Sequence, residues 1–461
     1  MARRNVELAA AIAETGWSQT ALAAAMVRVA AETGAQEVFT VSRSHIAMWV
    51  AGTRPRGQAT AILRETLSRR LGRPVTLTEL GLGQGFSVLD PHAEWDTDTL
   101  TTLVDLGRDS MDRGRRRLLA GAAYSVGGLV LPQDSWWDEA PQRARARSTG
   151  ASHEVGEAEV RAVREMTEFF ARRDQRHGGA DGRTALCQYI VDDVARHVGG
   201  RFGSERTRRS LYSAAAEAVY VAGWMSFDAS QHELARRYFS LSLKLAAEAD
   251  DTALTGHILR AMAHQAIDLG HSRAGLELAT GSVERDRYSQ ATSRERALIG
   301  IVRARALAVN GLRRQAIAAI NRAEADLDRA APGDEEPQRV WFFQEASLAH
   351  ETARTLWALG DLDGALRHFR DSVRYRRADS FGRTHAVTLG YMGTVQARQG
   401  NLEAACHTWT MALDTMDGVQ SGRTREAATT MRAVLSPFRD RGIPSVSEVD
   451  ARARAVLQRV P

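Results

Sequence analysis

Apolar positions spaced three and four residues apart, the mark of one buried helix face, organise this chain almost from its start. Leu8, Ile12 and neighbouring alanines predict a helix from Val6 to Thr15, ended by Gly16. Ser18 caps a second helix in which Leu22, Met26 and Val29 turn inward, with its end at Gly34. A link from Ala35 to Thr40 leads to a third helix between Ser42 and Gly52. There Ile46, Trp49 and Val50 form the buried side, Ser42 supplies the N-cap and Gly52 the left-handed stop. A fourth helix runs from Ala59 to Leu71, and Thr76 with Glu79 forms a capping box for a short fifth, ending near Leu80-Gly81. The pattern predicts five helices and an independent N-terminal domain.

The outward side of the third helix carries Ser44, Ala47, Met48 and Ala51, with Arg43 and His45 beside it at the N-terminal end. Free N–H groups and a partial positive charge make that end suit a phosphate. Arg54-Pro55-Arg56 follows just past the stop, two cations on a stiffened turn. A short helix with a polar leading end and basic flanks is what the DNA major groove admits. Charge sharpens this reading. Residues 1–83 hold ten arginines against six glutamates, so this small unit has net +4 of the whole chain's +5. Arginine abundance by itself says less, because Lys244 is the only lysine among 61 basic residues, a bias that a GC-rich genome produces.

From Glu157 onward every segment reads helical, and small and bulky residues return in step. The sets are Gly223, Ala235 and Phe239; Ala263, Gly275 and Ala279; Ala304, Ala316 and Ile320; Ala353, Ala365 and Phe369; and Gly393, Ala405 and Trp409. Their middle members lie 40, 41, 49 and 40 residues apart. Turns recur between them at Leu269-Gly270, Asn310-Gly311, Leu359-Gly360-Asp361 and Gln399-Gly400-Asn401. Two antiparallel helices approach closely where one offers Gly or Ala and the other a bulky side chain, and each pair must stack on the next to cover its apolar face.

These residues carry two resemblances. Gly16-Trp17-Ser18-Gln19 with Leu22-Ala23, then Ser42-Arg43-Ser44-His45-Ile46, Trp49 and Gly52, resemble the lambda-repressor-like helix-turn-helix domain of XRE regulators. The link between the second and third helices is longer here than that family's tight turn. The repeats, most clearly Leu389 to Met392-Gly393 with Ala405, Trp409 and Ala412, and Leu356 to Gly360 with Leu362, Ala365 and Phe369, resemble a tetratricopeptide (TPR) array. Over nearly its full length the chain is similar to actinobacterial regulators that join the two, the NsdA-like group among them. Gly178-Gly179, Asp192-Asp193-Val194-Ala195, Ala222-Gly223-Trp224-Met225 and Ala235 to Phe239 carry that likeness. The resemblance implies an all-α fold, a helix-turn-helix domain followed by a TPR-type α-solenoid. It also implies that Gln19, Arg43 and Ser44 meet DNA. With their neighbours, the candidate contacts are Ser18, Gln19, Thr20, Arg43, Ser44, His45, Met48, Arg54 and Arg56. Ligands of signal-peptide or protein kind are implied for the array. Tyr212, Tyr220, Trp224, Arg260, His264 and Arg303 are groove candidates because they lie on first helices of the repeats, with core packing an equal reading for Tyr220 and Trp224.

The expected division is 1–84 for the DNA-binding domain, 85–152 for a linker with an apolar helix, 153–440 for the repeats and 441–461 for a tail or capping helix. Within the linker, Arg115-Arg116-Arg117-Leu118-Leu119 and the apolar run to Leu131 look like a twin-arginine export signal. A complete domain precedes them, and the run is shorter than the twenty or so residues a bilayer needs, so a buried or docking helix is expected. Arg143-Ala144-Arg145-Ala146-Arg147-Ser148 reads as a solvated basic linker.

A hydrophobic share of 44% and a charged share of 25% are those of a soluble globular protein. Cys187 and Cys406 lie far apart, without zinc or disulfide spacing, which with the lack of a visible signal peptide suggests a reducing cytoplasm. His257, His264 and His271 stand about 10.5 Å apart along a straight helix, too far to share a metal, and read as satisfied or exposed histidines. No phosphate loop, HExxH or GxSxG appears, so neither an enzyme nor a cofactor or metal is expected. The expected function is a cytoplasmic transcriptional regulator: its N-terminal domain reads double-stranded DNA, while the array senses a peptide, protein or small ligand and pairs two copies into a homodimer. The alternative is an interaction scaffold whose N-terminal domain no longer binds DNA.

Overall fold

The computed structural model describes residues 4–33, 36–73, 75–82, 93–112, 124–147, 153–331 and 333–459. They are all-α except for a two-residue parallel bridge, Glu154–Val155 with Arg201–Phe202. Among them no helix is long and apolar enough to cross a membrane.

The N-terminal unit consists of α1 (Val6–Thr15), α2 (Gln19–Thr33), a 3-10 turn (Gln36–Val38), α3 (Arg43–Val50) and α4 (Ala59–Leu71). Leu8, Leu22, Met26, Ile46, Trp49, Leu63 and Leu67 form its core. Asn5 ties the unit shut. Its side chain accepts from Leu8 N at 2.8 Å and donates to Leu80 O at 2.8 Å, while its backbone N–H donates to Val50 O at 2.9 Å. The expected fifth helix is instead a run of turns over 77–81. Its Thr76–Glu79 capping box does form, with Thr76 N donating to Glu79 at 2.8 Å and Glu79 N to Thr76 at 3.1 Å. A cap satisfies orphan donors but cannot extend four residues into a stable helix.

The connector holds α5 (Ala93–Asp96), α6 (Thr99–Met111) and α7 (Asp134–Ala146). One expectation fails in it. The first part of the expected apolar helix falls on residues 113–123, which lie outside the described residues, while 124–131 is an extended strip with a 3-10 turn at Gly127–Leu129. The supposed basic linker is the end of α7, with Ala144 buried. Beyond it Arg147 binds Glu248 at 3.0 Å and Asp98 at 3.1 Å, so distant carboxylates neutralise charges that were expected to face solvent.

The rest is an array. It opens with α8 (Glu157–His177) and with α9 (Arg183–Tyr189), which passes through a π-helical turn into α10 (Ala195–Val198). Six antiparallel pairs follow: α11 (Glu205–Asp228) with α12 (His232–Glu248); α13 (Thr252–Asp268) with α14 (Ser272–Gly281); α15 (Ser293–Val309) with α16 (Arg313–Asp328); α17 (Glu345–Ala358) with α18 (Leu362–Tyr375); α19 (Gly382–Arg398) with α20 (Leu402–Thr415); and α21 (Gly422–Leu435) with α22 (Pro444–Arg459). The small-against-bulky rule holds at the crossings. A Cβ on Gly223 would lie 2.8 Å from the Phe239 ring, and one on Gly393 2.4 Å from the Trp409 indole. The turn glycines Gly270, Gly311, Gly360 and Gly400 all have φ near +80°.

The array returns to its own beginning. Arg383 on α19 binds Asp174 on α8 and Asp228 on α11, each at 3.0 Å. Gln420 N donates to His177 O at 2.7 Å and Ala180 N to Gln420 O at 3.1 Å. The middle of the coil is therefore filled by ion pairs. Asp268, for instance, meets Arg305 and Arg354.

Several histidines are locked into this interior. Burial holds His257 down to about 3, and His232 and His271 down to about 4. Their unfolded pKa is near 6.5, so the unfolded chain binds more protons below that value. Stability is then full above pH 6.5 and drains away as pH falls towards 4. Urea midpoints measured across this window are expected to drop steadily, and the double variant His232→Gln/His271→Gln should show a shallower decline. An unchanged slope in that variant would remove these two rings from the account.

Candidate nucleic-acid interface and internal cavity

Local chemistry sets the α3 end. Ser42 is extended, its backbone N–H donates to His45 Nδ1 at 3.2 Å, and its hydroxyl lies 2.9 Å from the same nitrogen. His45 is thus part of the cap, with one ring nitrogen turned back on the chain. Gly52 has φ +112°, and Thr53 N donates to Met48 O at 3.0 Å, which closes the helix. With Ile46 and Trp49 inward, Arg43, Ser44 and Met48 face solvent, Met48 with 46% exposure. Ser18 accepts from Ala21 N at 3.2 Å and remains exposed with Thr20; Gln19 is half-buried. Pro55 is buried, which turns Arg54 and Arg56 outward on either side of it.

The long link is anchored. Val38 is fully buried, and Glu37 accepts from Gln58 N at 2.6 Å, so the link is pinned to the turn that carries Arg54 and Arg56. Sequence reasoning passed over Phe39, 43% exposed on this link, and Arg28, exposed on α2.

The unit's arginines divide by role. Arg69 pairs with Glu65, Arg73 with Glu14 and Glu79, and Arg70 donates to Thr15 O while lying over Trp17. Arg28, Arg43, Arg54 and Arg56 make no ion pair or hydrogen bond among the described residues. Free cationic charge thus stands on α2, α3 and the turn after α3, and also at Arg4 and the partly buried Arg64, while Arg69, Arg70 and Arg73 are spent on structure.

Of the groove candidates, Tyr220, Trp224, Arg260 and His264 come together in one cluster. Tyr212 is buried and accepts from Arg147 at 2.9 Å, away from any opening. Tyr220 accepts from Arg260 at 2.9 Å, and Arg260 also contacts His257 at 2.8 Å. His264 sits between Asp268 and Glu351 at 3.3 and 3.7 Å. Arg303 is half-buried. Only Tyr220 and Trp224 of the six line the partly open cavity of about 370 Å³ formed by α8, α11, Asp251 and residues 337–342. The sequence reading missed Arg164, Asp174, Glu217, Arg339, Trp341 and Phe342, which also line it. A signal for the last three existed. One interval between repeats is 49 residues rather than 40 or 41, and the surplus lies in the loop between α16 and α17 that bears them. Arg339 binds Glu217 at 2.9 Å and Glu295 at 2.7 Å, while burial raises the Glu217 carboxyl above its ordinary value. Burial also pushes Asp174 up to about 7. Among the described residues no cluster of His, Cys, Asp and Glu could hold a metal ion.

Residues 8–83 match the SP15 N-terminal domain. The matched stretch runs from α1 to just past Leu82, and so takes in all of α2, the anchored link, α3 and α4. No curated protein matches the chain.

Proposed function

We propose that this chain is a cytoplasmic, homodimeric transcriptional regulator of XRE type: α2 and α3 form a helix-turn-helix that reads double-stranded DNA, and a TPR-like array senses a ligand. The observation that carries this is that Arg28 on α2, Arg43 on α3, and Arg54 and Arg56 just past it are exposed and make no ion pair or hydrogen bond among the described residues, while the polar face of α3 is open. Arg43 and Ser44 reach base edges, and Gln19, Arg54 and Arg56 hold phosphates. Phosphate contacts fix register and base contacts supply discrimination. One small domain makes few contacts, and two-fold pairing on a palindrome doubles them.

A gel shift with genomic fragments over a salt series tests this. Binding should weaken steeply with salt, because each neutralised phosphate releases counterions. Arg43→Ala is expected to cut discrimination between cognate and scrambled DNA by about 1–3 kcal/mol. Arg56→Ala should weaken both alike and lower the salt slope by about one. Equal losses on both DNAs for Arg43→Ala would refute its role, and no salt-dependent shift at all would leave an interaction scaffold.

A further inference from the structure

Building on the sensing role above, we propose that a second, smaller cavity at the centre of the coil binds a free oxyanion of phosphate size, held by the guanidinium groups of Arg260 and Arg376.

Place and size come first. Where the array returns to its beginning, side chains from α8, α13, α17, α19 and α21 surround a partly open cavity of about 60 Å³. A single water needs roughly 10–15 Å³, so the space suits a compact ion of a few heavy atoms and excludes a peptide. Four arginines and two histidines line it against one carboxylate, Glu351.

The cations then divide by partner. Arg383 is met by Asp174 and Asp228, and Arg423 faces Asp268 at 3.5 Å. Glu351 is taken by Arg305 at 3.3 Å, with His264 at 3.7 Å. Burial lowers His264 and His350 alike, so neither adds charge at neutral pH.

Arg260 and Arg376 are left without an acid. Arg260 is 2% exposed and spends Nη2 on the Tyr220 hydroxyl and on His257. That histidine is neutral, and Glu295 behind it is bound by Arg339 at 2.7 Å. Arg376, just past α18 and 8% exposed, spends Nη2 on Ala346 O at 2.9 Å and on Ser372 at 3.3 Å. Neither arginine makes an ion pair among the described residues. The Nε of each is sealed in the protein, whereas Nη1 of each is neither sealed nor bonded, which makes it the end that meets the cavity. Burial and the neighbouring Arg383 pull Arg376 down to about 10, so it stays charged at neutral pH. An unpaired cation in the interior is costly, and two around one small space are relieved together by one anion. The planar fork of a guanidinium matches two oxygens of a phosphate.

The test uses the full chain without DNA in chloride buffer, with inorganic phosphate as probe, followed by calorimetry and by the urea midpoint. Saturable one-to-one binding is expected, with a midpoint that climbs as phosphate is added and stays put when sodium chloride of equal ionic strength replaces it. Arg376→Met should weaken phosphate at least about tenfold. Thr384→Glu, at a half-buried position on the cavity wall, supplies the missing carboxylate and should abolish the response. The gain with phosphate is read against each variant's own midpoint without it, so a less stable variant still gives an answer. Equal gains from chloride and phosphate, or either variant binding phosphate like the unaltered chain, would overturn the assignment. Because no DNA is present, failure here leaves the DNA reading standing, and a failed gel shift leaves this site standing.

Discussion

Arg383→Met is expected to cost about 3–5 kcal/mol of folding stability, seen as a large fall in the urea midpoint. The side chain is 2% exposed and serves two acids, Asp174 and Asp228, at 3.0 Å each, while its Nε donates to Asp174 O at 3.2 Å. Asp228 in turn accepts from Gly179 N at 2.8 Å and from Ser421 at 3.0 Å. Losing the cation leaves two buried carboxylates facing each other with little solvent to help. The double variant Arg383→Met/Asp228→Asn should regain part of the loss, because one of the stranded charges is then gone. A loss under about 1 kcal/mol for the single variant would mean that packing, not this ion pair, closes the array.

That closure explains how far the sequence could be read. Helices were legible because their signals are local: α4 occupies Ala59–Leu71 as the apolar spacing requires, and the turn glycines at 270, 311, 360 and 400 sit at positive φ. The pairing of Gly223 with Phe239 and of Gly393 with Trp409 was legible as well, since each lies within one repeat. Arg383 was not. Its partner Asp174 is 209 residues away, and in a chain whose cations are nearly all arginine nothing marks that one as central. The same blindness explains the Arg143–Arg147 stretch, where Arg and Ala are good helix formers and the neutralising acids Asp98, Glu205 and Glu248 come from elsewhere. Exposure of the α3 face followed directly from the burial of Ile46 and Trp49. The cavity did not, because its second wall is a loop without periodicity.

Glu65→Ala is expected to cost about 3 kcal/mol and to free the N-terminal unit from the array. Glu65 lies on α4 and is 2% exposed. It accepts from Arg69 at 2.8 Å and from Val126 N at 3.0 Å, so it grips the strip at 124–131 from one side. Glu233 and Arg236 of α12 grip it from the other: Glu233 accepts from Ser125 N at 3.1 Å, and Arg236 donates to Gly128 O at 3.1 Å. Tyr124 stacks on His271 of the turn between α13 and α14, 5.5 Å away at 14°. Removing the carboxylate takes its ion pair from Arg69, which keeps Tyr124 O at 3.2 Å, and leaves the Val126 N–H without its acceptor. Hydrogen exchange should therefore quicken at Ser125, Val126 and Gly128, while the amides of α1 to α3 keep their protection. Glu65→Gln retains an acceptor for Val126 and should lose less. If neither variant speeds exchange in the strip, the clasp carries no weight. If the first does, α4 is the surface by which the array holds the N-terminal unit, with the α3 face left uncovered. A rigid grip of that kind would fix the distance between two α3 helices in a dimer, and so the spacing of DNA half-sites it could span. Loosening it should then broaden the range of spacings bound before it weakens binding to any one half-site.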